Sequence, residues 1–234
     1  MDKQSLRERV WDELEESGDA RFPFPPHGRI PNFAGADGAA DRLTELAEWP
    51  AADAIKANPD SPQRPVRRRA LEADKTVYMA VPRLRDEECF LELDPDRIDD
   101  YDTATTLSGS FELGVQVRPA EMDPVDFVVS GSVVVDDRGA RIGKGEGYSD
   151  LEFAVLRELG LVDESVTVAT TVHETQFSEE TLPTSPHDVP MDYVVTPERT
   201  VETGGEYERP TGIDWDALGE EKIAEIPVLR EMQP

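Results

Sequence analysis

Three short runs, "DFVVSGSVVV", "VTVATTV" and "MDYVVT", constrain the fold of this chain more than any other feature. They are strand-like, rich in β-branched residues, and separated by turn residues. They are apolar on both faces, as in strands that are covered on both sides. Helical spacing occupies the stretches between strands. Residues 2–17 carry Leu6, Val10 (with Trp11) and Leu14 on one face, and Gly18 ends the pattern. "RFPFPPHGRIPNF" is too proline-rich for regular structure and is expected to lie extended across the surface. "GADGAADRLTELAEW" resumes helical spacing through Ala39, Leu43, Leu46 and Ala47. "AADAIKANP", "KTVYMAVP" and "CFLELD" read as strands, and "PQRPVRRRALEAD" as a helix between the first two. This alternation predicts an α/β fold, a three-layer α/β/α sandwich with a mostly parallel central sheet. One domain is expected over residues 1–202, with 1–50 as a helical and proline-rich lead-in. Residues 203–234 are expected to form an acidic, turn-rich extension of uncertain order.

Charge bounds the partners. The chain of 234 residues carries 51 acidic against 24 basic residues, a formal charge of −27, with 38% hydrophobic residues. Such charge without apolar runs would mean disorder, but the runs above supply a core. Lysine occurs only at positions 3, 56, 75, 144 and 222. An acidic, lysine-poor surface suits concentrated salt, where the Debye length shrinks to about 3 Å at 1 M and carboxylate repulsion is screened. The same charge argues against nucleic acid as the main partner, which would require clustered Lys and Arg. The one basic run holds Arg64, Arg67, Arg68 and Arg69 and reads as a helix face paired with acids. Cys89 is alone, which excludes an intrachain disulfide and fits a reducing interior. The N-terminus is an acidic amphipathic helix rather than a signal peptide, and no apolar run reaches membrane-spanning length. The expectation is a soluble, cytoplasmic monomer or homodimer, with no membrane partner.

Against that background "RIGKGEGYSDLEFAVLRELG", residues 141–160, is a basic, glycine-rich exception. Gly143, Gly145 and Gly147 alternate, which lets the backbone take φ > 0 and bring its N–H groups close to a ligand. A helix follows from about Tyr148 to Leu159, with Leu151, Ala154, Val155 and Leu159 as its buried stripe. Its N-terminus favours negative charge, and Arg141 and Lys144 add full positive charges. The combination describes a phosphate cradle. Asp150 either caps the helix or holds a Mg²⁺ that bridges phosphates. On spacing alone the alternative is a hairpin with a capping aspartate, because the loop is neither a Walker motif nor a dinucleotide fingerprint.

"RIGKGEGYSD" closely resembles the loop of the 5-formyltetrahydrofolate cyclo-ligase family, Arg-Leu-Gly-(Arg/Lys)-Gly-x-Gly-Tyr-Tyr-Asp. Two further pieces agree in order: "KQSLR" with the family's Lys-x-x-Leu-Arg opening, and "PHDVPMDYVVT" with its His-Asp-x-Pro-x-Asp segment. "RIPNFAGADGAADRL" with "IKANPDSPQRPVRRRAL" resembles the divergent branch of methenyltetrahydrofolate synthetase domain-containing proteins. The resemblance implies a cyclo-ligase-like fold of the NagB/RpiA/CoA-transferase-like kind. It also implies ATP and Mg²⁺ as cofactors and a folate substrate, 5-formyltetrahydrofolate, cyclised to 5,10-methenyltetrahydrofolate through a phosphorylated formyl oxygen. It assigns Lys3, Arg7, Arg141, Gly143, Lys144, Gly145, Gly147, Tyr148 and Asp150 to ATP. Asp150 and Asp188 go to the metal and Asn58 to the substrate. His187 carries no role in it.

Four positions depart from the family pattern. Ser149 replaces the second loop tyrosine, Glu146 brings a negative charge beside the phosphates, and Leu151 stands where arginine is frequent. The family's Glu-x-Asp-Thr segment, whose glutamate helps hold folate, corresponds to Asn58, Pro59, Asp60 and Ser61. Losing a charged hydrogen bond there costs about 1.5–3 kcal/mol, enough to alter which substrate is held. The other readings are a nucleotide- or metabolite-binding protein without turnover and a related ATP-dependent ligase with another substrate. RNA binding rests on the Arg64–Arg69 cluster alone, without the aromatics of a stacking platform.

Overall fold

The computed structural model describes residues 2–234. In chain order its helices are α1 (Lys3–Ser17), α2 (Ala36–Leu43), α3 (Arg64–Glu72), α4 (Tyr101–Ala104), α5 (Leu107–Leu113), α6 (Tyr148–Glu158), α7 (Glu220–Glu225) and α8 (Pro227–Met232). The strands are β1 (Ala20–Arg21), β2 (Asn32–Phe33), β3 (Ala54–Ala57), β4 (Thr76–Ala80), β5 (Phe90–Leu93), β6 (Val115–Val117), β7 (Phe127–Val129), β8 (Val134–Asp136) and β9 (Arg141–Ile142). β10 (Thr167–Thr171), β11 (Phe177–Ser178), β12 (Tyr193–Val195) and β13 (Thr200–Glu202) follow.

The main sheet runs β13-β12-β10-β7-β3-β4-β5-β6. Its inner strands β12, β10, β7, β3 and β4 pair in parallel, while β13, β5 and β6 join antiparallel at the two sides. Adjacent strand residues bury on opposite faces, as the pleat requires. Phe127, Val129, Val77 and Met79 pack with Leu43 of α2 and Val66, Ala70 and Leu71 of α3. Val128, Tyr78 and Ala80 pack on the other face with Leu151, Val155 and Leu156 of α6. Both faces are therefore covered, and the three-layer sandwich expected from the apolar runs is present. Among the described residues, no helix is long and apolar enough to cross a membrane.

A separate three-stranded sheet, β11-β8-β9, carries α1. Leu6, Val10, Trp11 and Leu14 of α1 bury against Val133, Val134, Ala140 and Ile142. At about 1.5–3 kcal/mol for each large apolar side chain, this seam holds the N-terminal helix where its polar face reaches the loop after β9. Asp2 caps α1 by accepting from the N–H groups of Gln4 and Ser5, and Gly18 ends it in the left-handed region at φ 77°.

One expectation needs correction, and two points that the sequence left open are answered. The second helix stops at Leu43 instead of continuing to Ala47, because residues 44–47 turn away and Leu46 reaches the core from a turn. The proline-rich segment is not only a surface layer, because Phe22, Pro23, Gly28 and Ile30 form one wall of the main cleft. The acidic tail is ordered: Ile213, Ile226, Val228 and Leu229 bury in the α6-side core, and α7 and α8 lie at its end.

Candidate functional site

The carboxyl ends of β3, β4 and β7 open onto a cleft of about 690 Å³. In open α/β sheets ligands bind outside these strand ends, where loops lead into helix N-termini. The chain leaves β3 into Asn58–Asp60, β4 into Val81–Arg83 and β7 into Ser130–Gly131, and all three stretches reach this cleft.

The glycine loop forms its upper lip, between β9 and α6. Gly145 has φ 109° and Gly147 has φ 71°, a region that side chains with a Cβ rarely adopt. A Cβ on Gly145 would also sit 3.4 Å from the Arg7 guanidinium carbon. Gly147 begins α6 and no side chain caps it, so the first-turn N–H groups stay available to an anion. Asp150 does not cap the helix. Its Oδ1 instead takes Arg141 Nη2 at 2.6 Å and the Val189 N–H at 3.1 Å.

Residues far apart in sequence converge here. Arg7 Nε donates to the Gly143 carbonyl at 2.7 Å, and burial lowers the pKa of its guanidinium. Lys3 Nζ lies 2.6 Å from Asp188 Oδ2, which also accepts the Ser185 N–H at 2.8 Å. Asp188 and the Val189 amide that reaches Asp150 are neighbours, so both aspartates lie at the same end of the loop. Arg141 is buried and donates through Nη1 to the Gly131 carbonyl at 2.9 Å. Lys144 Nζ approaches Glu146 Oε2 at 3.1 Å and Asp60 Oδ1 at 3.9 Å. Burial disfavours its charge, but Asp60 and Glu146 outweigh burial and raise its pKa. Glu146 is thereby neutralised by Lys144 and by Arg83 at 3.4 Å, which softens the negative charge noted in the loop.

For a divalent cation, Asp150 and Asp188 each keep one carboxylate oxygen outside the ion pairs with Arg141 and Lys3. Among the described residues, no group of three or more His, Cys, Asp or Glu side chains forms a protein-only cage. This set suits Mg²⁺, which takes one or two carboxylates and completes its shell with phosphate oxygens and water.

The cleft floor and the layer beneath it hold what sequence reasoning missed. Lys56 and Glu152 form a buried pair at 2.5 Å, with side chains 1% and 6% exposed. The approach is a close charge contact, since Lys56 Nζ finds no acceptor in good hydrogen-bonding alignment. Asn58 Nδ2 donates to Glu152 at 3.3 Å, and Asn58 Oδ1 accepts from the Gly131 N–H at 3.0 Å and Ser149 Oγ at 3.1 Å. Asn58 is thus largely engaged by the protein, with one amide N–H left over. Arg67 is fully buried, donating to the carbonyls of Asn58, Asp60 and Thr105, and burial draws its pKa down to about 9. Burial likewise raises the pKa of Asp60, against the pull of Lys144, Arg67 and Lys56. The sequence signal was present: Lys56 and Glu152 each interrupt an otherwise apolar segment, "AIKA" and "LEFAVL". The remaining arginines of the basic run pair with acids, Arg68 with Glu72, Arg69 with Asp41 and Arg64 with Asp102.

A profile of the 5-formyltetrahydrofolate cyclo-ligase family matches residues 1–197, from the helix that carries Lys3 and Arg7 to the strand beyond Asp188. The chain belongs to that family. A Mus musculus protein named methenyltetrahydrofolate synthase domain-containing protein is 42% identical over 238 residues, covering 100% of this chain and 63% of its own length. Relatives of that name from cattle, zebrafish and human also extend well beyond it, this chain spanning 61–62% of their lengths. A Mycolicibacterium smegmatis 5-formyltetrahydrofolate cyclo-ligase is 33% identical over 84 residues, 36% of this chain and 40% of that one. The solution structure of Aquifex aeolicus 5,10-methenyltetrahydrofolate synthetase superposes with a TM-score of 0.55 at 19% identity, over 93% of this chain and 100% of that one. That likeness supports the fold.

Proposed function

We propose that this chain is an ATP- and Mg²⁺-dependent ligase that cyclises 5-formyltetrahydrofolate to 5,10-methenyltetrahydrofolate. The observation that carries the reading is the bond from Arg7 on α1 to the carbonyl of Gly143, 136 residues away in the glycine loop. That bond has no role in the sandwich core, and it sets a guanidinium beside amides suited to phosphate.

In this reading the triphosphate lies along the loop, contacted by Lys3, Arg7, Arg141, Lys144, Tyr148 and the amides around Gly143, Gly145 and Gly147. Asp150 and Asp188 would hold Mg²⁺, which when bound would supply charge neutralisation at the phosphates. The formyl oxygen of the substrate attacks the γ-phosphorus and ADP leaves. N10 then attacks the activated carbon, closing the ring and releasing its proton to solvent, and inorganic phosphate departs with that oxygen. The protein's work is alignment, charge stabilisation and exclusion of water. Lys144 stands on the cleft side of the loop, beside the group being transferred.

A related reading is favoured by the cleft floor. Glu152 and the engaged Asn58 line the cleft, with Lys56 paired behind Glu152, which suits a ligase that activates a different acyl or amide oxygen, or a metabolite-binding protein without turnover. The charge of −27 further supports a cytoplasmic protein adapted to concentrated salt.

The test is an assay in high-salt buffer. Methenyltetrahydrofolate absorbance rising with 5-formyltetrahydrofolate, in step with ADP release, supports cyclisation. ATP binding without either product removes it and leaves the second reading.

A further inference from the structure

Residues 203–234 lie beyond the span matched by the family profile, yet they close a second cavity against the glycine loop. This cavity, about 380 Å³, opens at Gly147 and Asp150 and is walled by Leu151 and Ala154 of α6 and by Ile213 and Leu218 of the tail. Lys222 stands at its mouth. Its Nζ lies 4.8 Å from the Tyr148 ring centroid, 3.4 Å from the Glu146 carbonyl and 3.9 Å from where a Cβ on Gly147 would sit.

Two features make this position unusual. Lys222 is the only lysine in residues 203–234, a segment with eight acidic residues against three basic ones. The other tail cation near the core, Arg209, is taken up by Asp192 and the Val166 carbonyl. Among the described residues Lys222 has no carboxylate partner; its contacts are a carbonyl and an aromatic face. At the loop Lys3, Arg141 and Lys144 are each paired with an acid. Arg7 and Lys222 are not, and they flank the loop at Gly145 and Gly147. In a chain this acidic, two uncompensated cations on one short loop mark where an anion's charge would be met. The cavity beside them has the size of a small-ligand site, with apolar walls from Leu151, Ala154, Ile213 and Leu218 and with Thr211, His187, Asp150 and Asp214 as polar lining groups that a base edge can meet.

We propose that this cavity takes the nucleoside end of the nucleotide, with Lys222 on its phosphates, so that the tail completes the ATP site. The inference rests on the ATP reading and assigns one wall of the base pocket and one phosphate contact to residues outside the family-matched span.

The experiment measures binding of Mg-ATP and of inorganic tripolyphosphate to the full chain, together with melting temperatures. Lys222→Gln is expected to weaken both probes about tenfold or more, the loss of one charge-assisted hydrogen bond. Lys222→Arg keeps most of the affinity. Ala217→Trp, at an exposed position on the cavity wall, plugs the base pocket and weakens ATP while leaving tripolyphosphate unchanged. Wild-type ATP affinity in both Lys222→Gln and Ala217→Trp overturns the proposal while leaving the ATP reading in place. So does a Lys222→Gln protein that melts lower without ligand yet gains the full ATP-induced shift, which would make Lys222 a structural tie. A wild-type protein that binds neither probe removes both readings.

Discussion

Replacing Lys56 by Met should cost this protein more stability than most single changes. The Lys56 ammonium lies 2.5 Å from Glu152 Oε2, with the two side chains only 1% and 6% exposed. Methionine fills a similar volume but leaves the Glu152 carboxylate buried with one long hydrogen bond, from Asn58 at 3.3 Å. Breaking a buried ion pair by removing one partner costs about 3–5 kcal/mol, chiefly the desolvation of the abandoned charge. Glu152 borders the cleft, where water can reach it, so the low end, about 3 kcal/mol, is expected. For a domain of this size that lowers the melting temperature by about 6–12 °C. Adding Glu152→Gln removes the orphaned charge, and the double variant should recover most of the loss, giving a coupling of about 2 kcal/mol or more. Thermal and chemical denaturation of the four proteins in high salt provides the cycle. A single-variant cost below about 1 kcal/mol, or additive effects in the double variant, would refute the reasoning.

Lys3→Ala and Asp150→Asn should each abolish most turnover while the far-ultraviolet circular dichroism stays that of the wild type; wild-type rates in both would remove the site assignment. Burial raises the folded pKa of Asp60 above its ordinary 3.8. Its contribution to stability is therefore fully present below 3.8 and is lost as pH rises through the folded value. The stability of Asp60→Asn relative to wild type should accordingly climb as melting is measured from about pH 4 to about pH 7, whereas a pH-independent offset would contradict the assignment. Raising KCl from about 0.1 M to about 2 M should raise the wild-type melting temperature, because screening relieves repulsion within a chain of charge −27.

The parts legible in the sequence are those governed by local pattern. α1 is readable because Leu6, Val10 and Leu14 repeat on one face and Gly18 supplies the left-handed stop. The inner strands are readable because burial on both faces leaves continuous β-branched runs. The small sheet β11-β8-β9 is harder to read, since β9 and β11 have two residues each and owe their pairing to tertiary contacts. The tail hides its anchors, because Ile226, Val228 and Leu229 form a short apolar patch inside an acidic stretch. In the candidate site the glycine loop is readable from its alternating glycines and basic residues, Lys3, Arg7 and Asp188 only from the family resemblance, and the fold brings them together. Lys56 and Glu152 are not legible because a buried charge in an apolar segment looks like an exposed one until its partner is known, and Arg67, which reads as one more acid-paired arginine of the basic run, instead buries and donates to carbonyls.

The central claim is that nucleotide phosphates meet the main-chain amides near Gly145 with Lys3 and Arg7 beside them. A crystal structure with Mg²⁺ and a non-hydrolysable ATP analogue tests it most directly. Phosphate oxygens are expected within hydrogen-bonding distance of amides between residues 143 and 147 and of Arg7, with the cation on Asp150 or Asp188. An analogue bound elsewhere, with the loop amides turned to solvent, would contradict it.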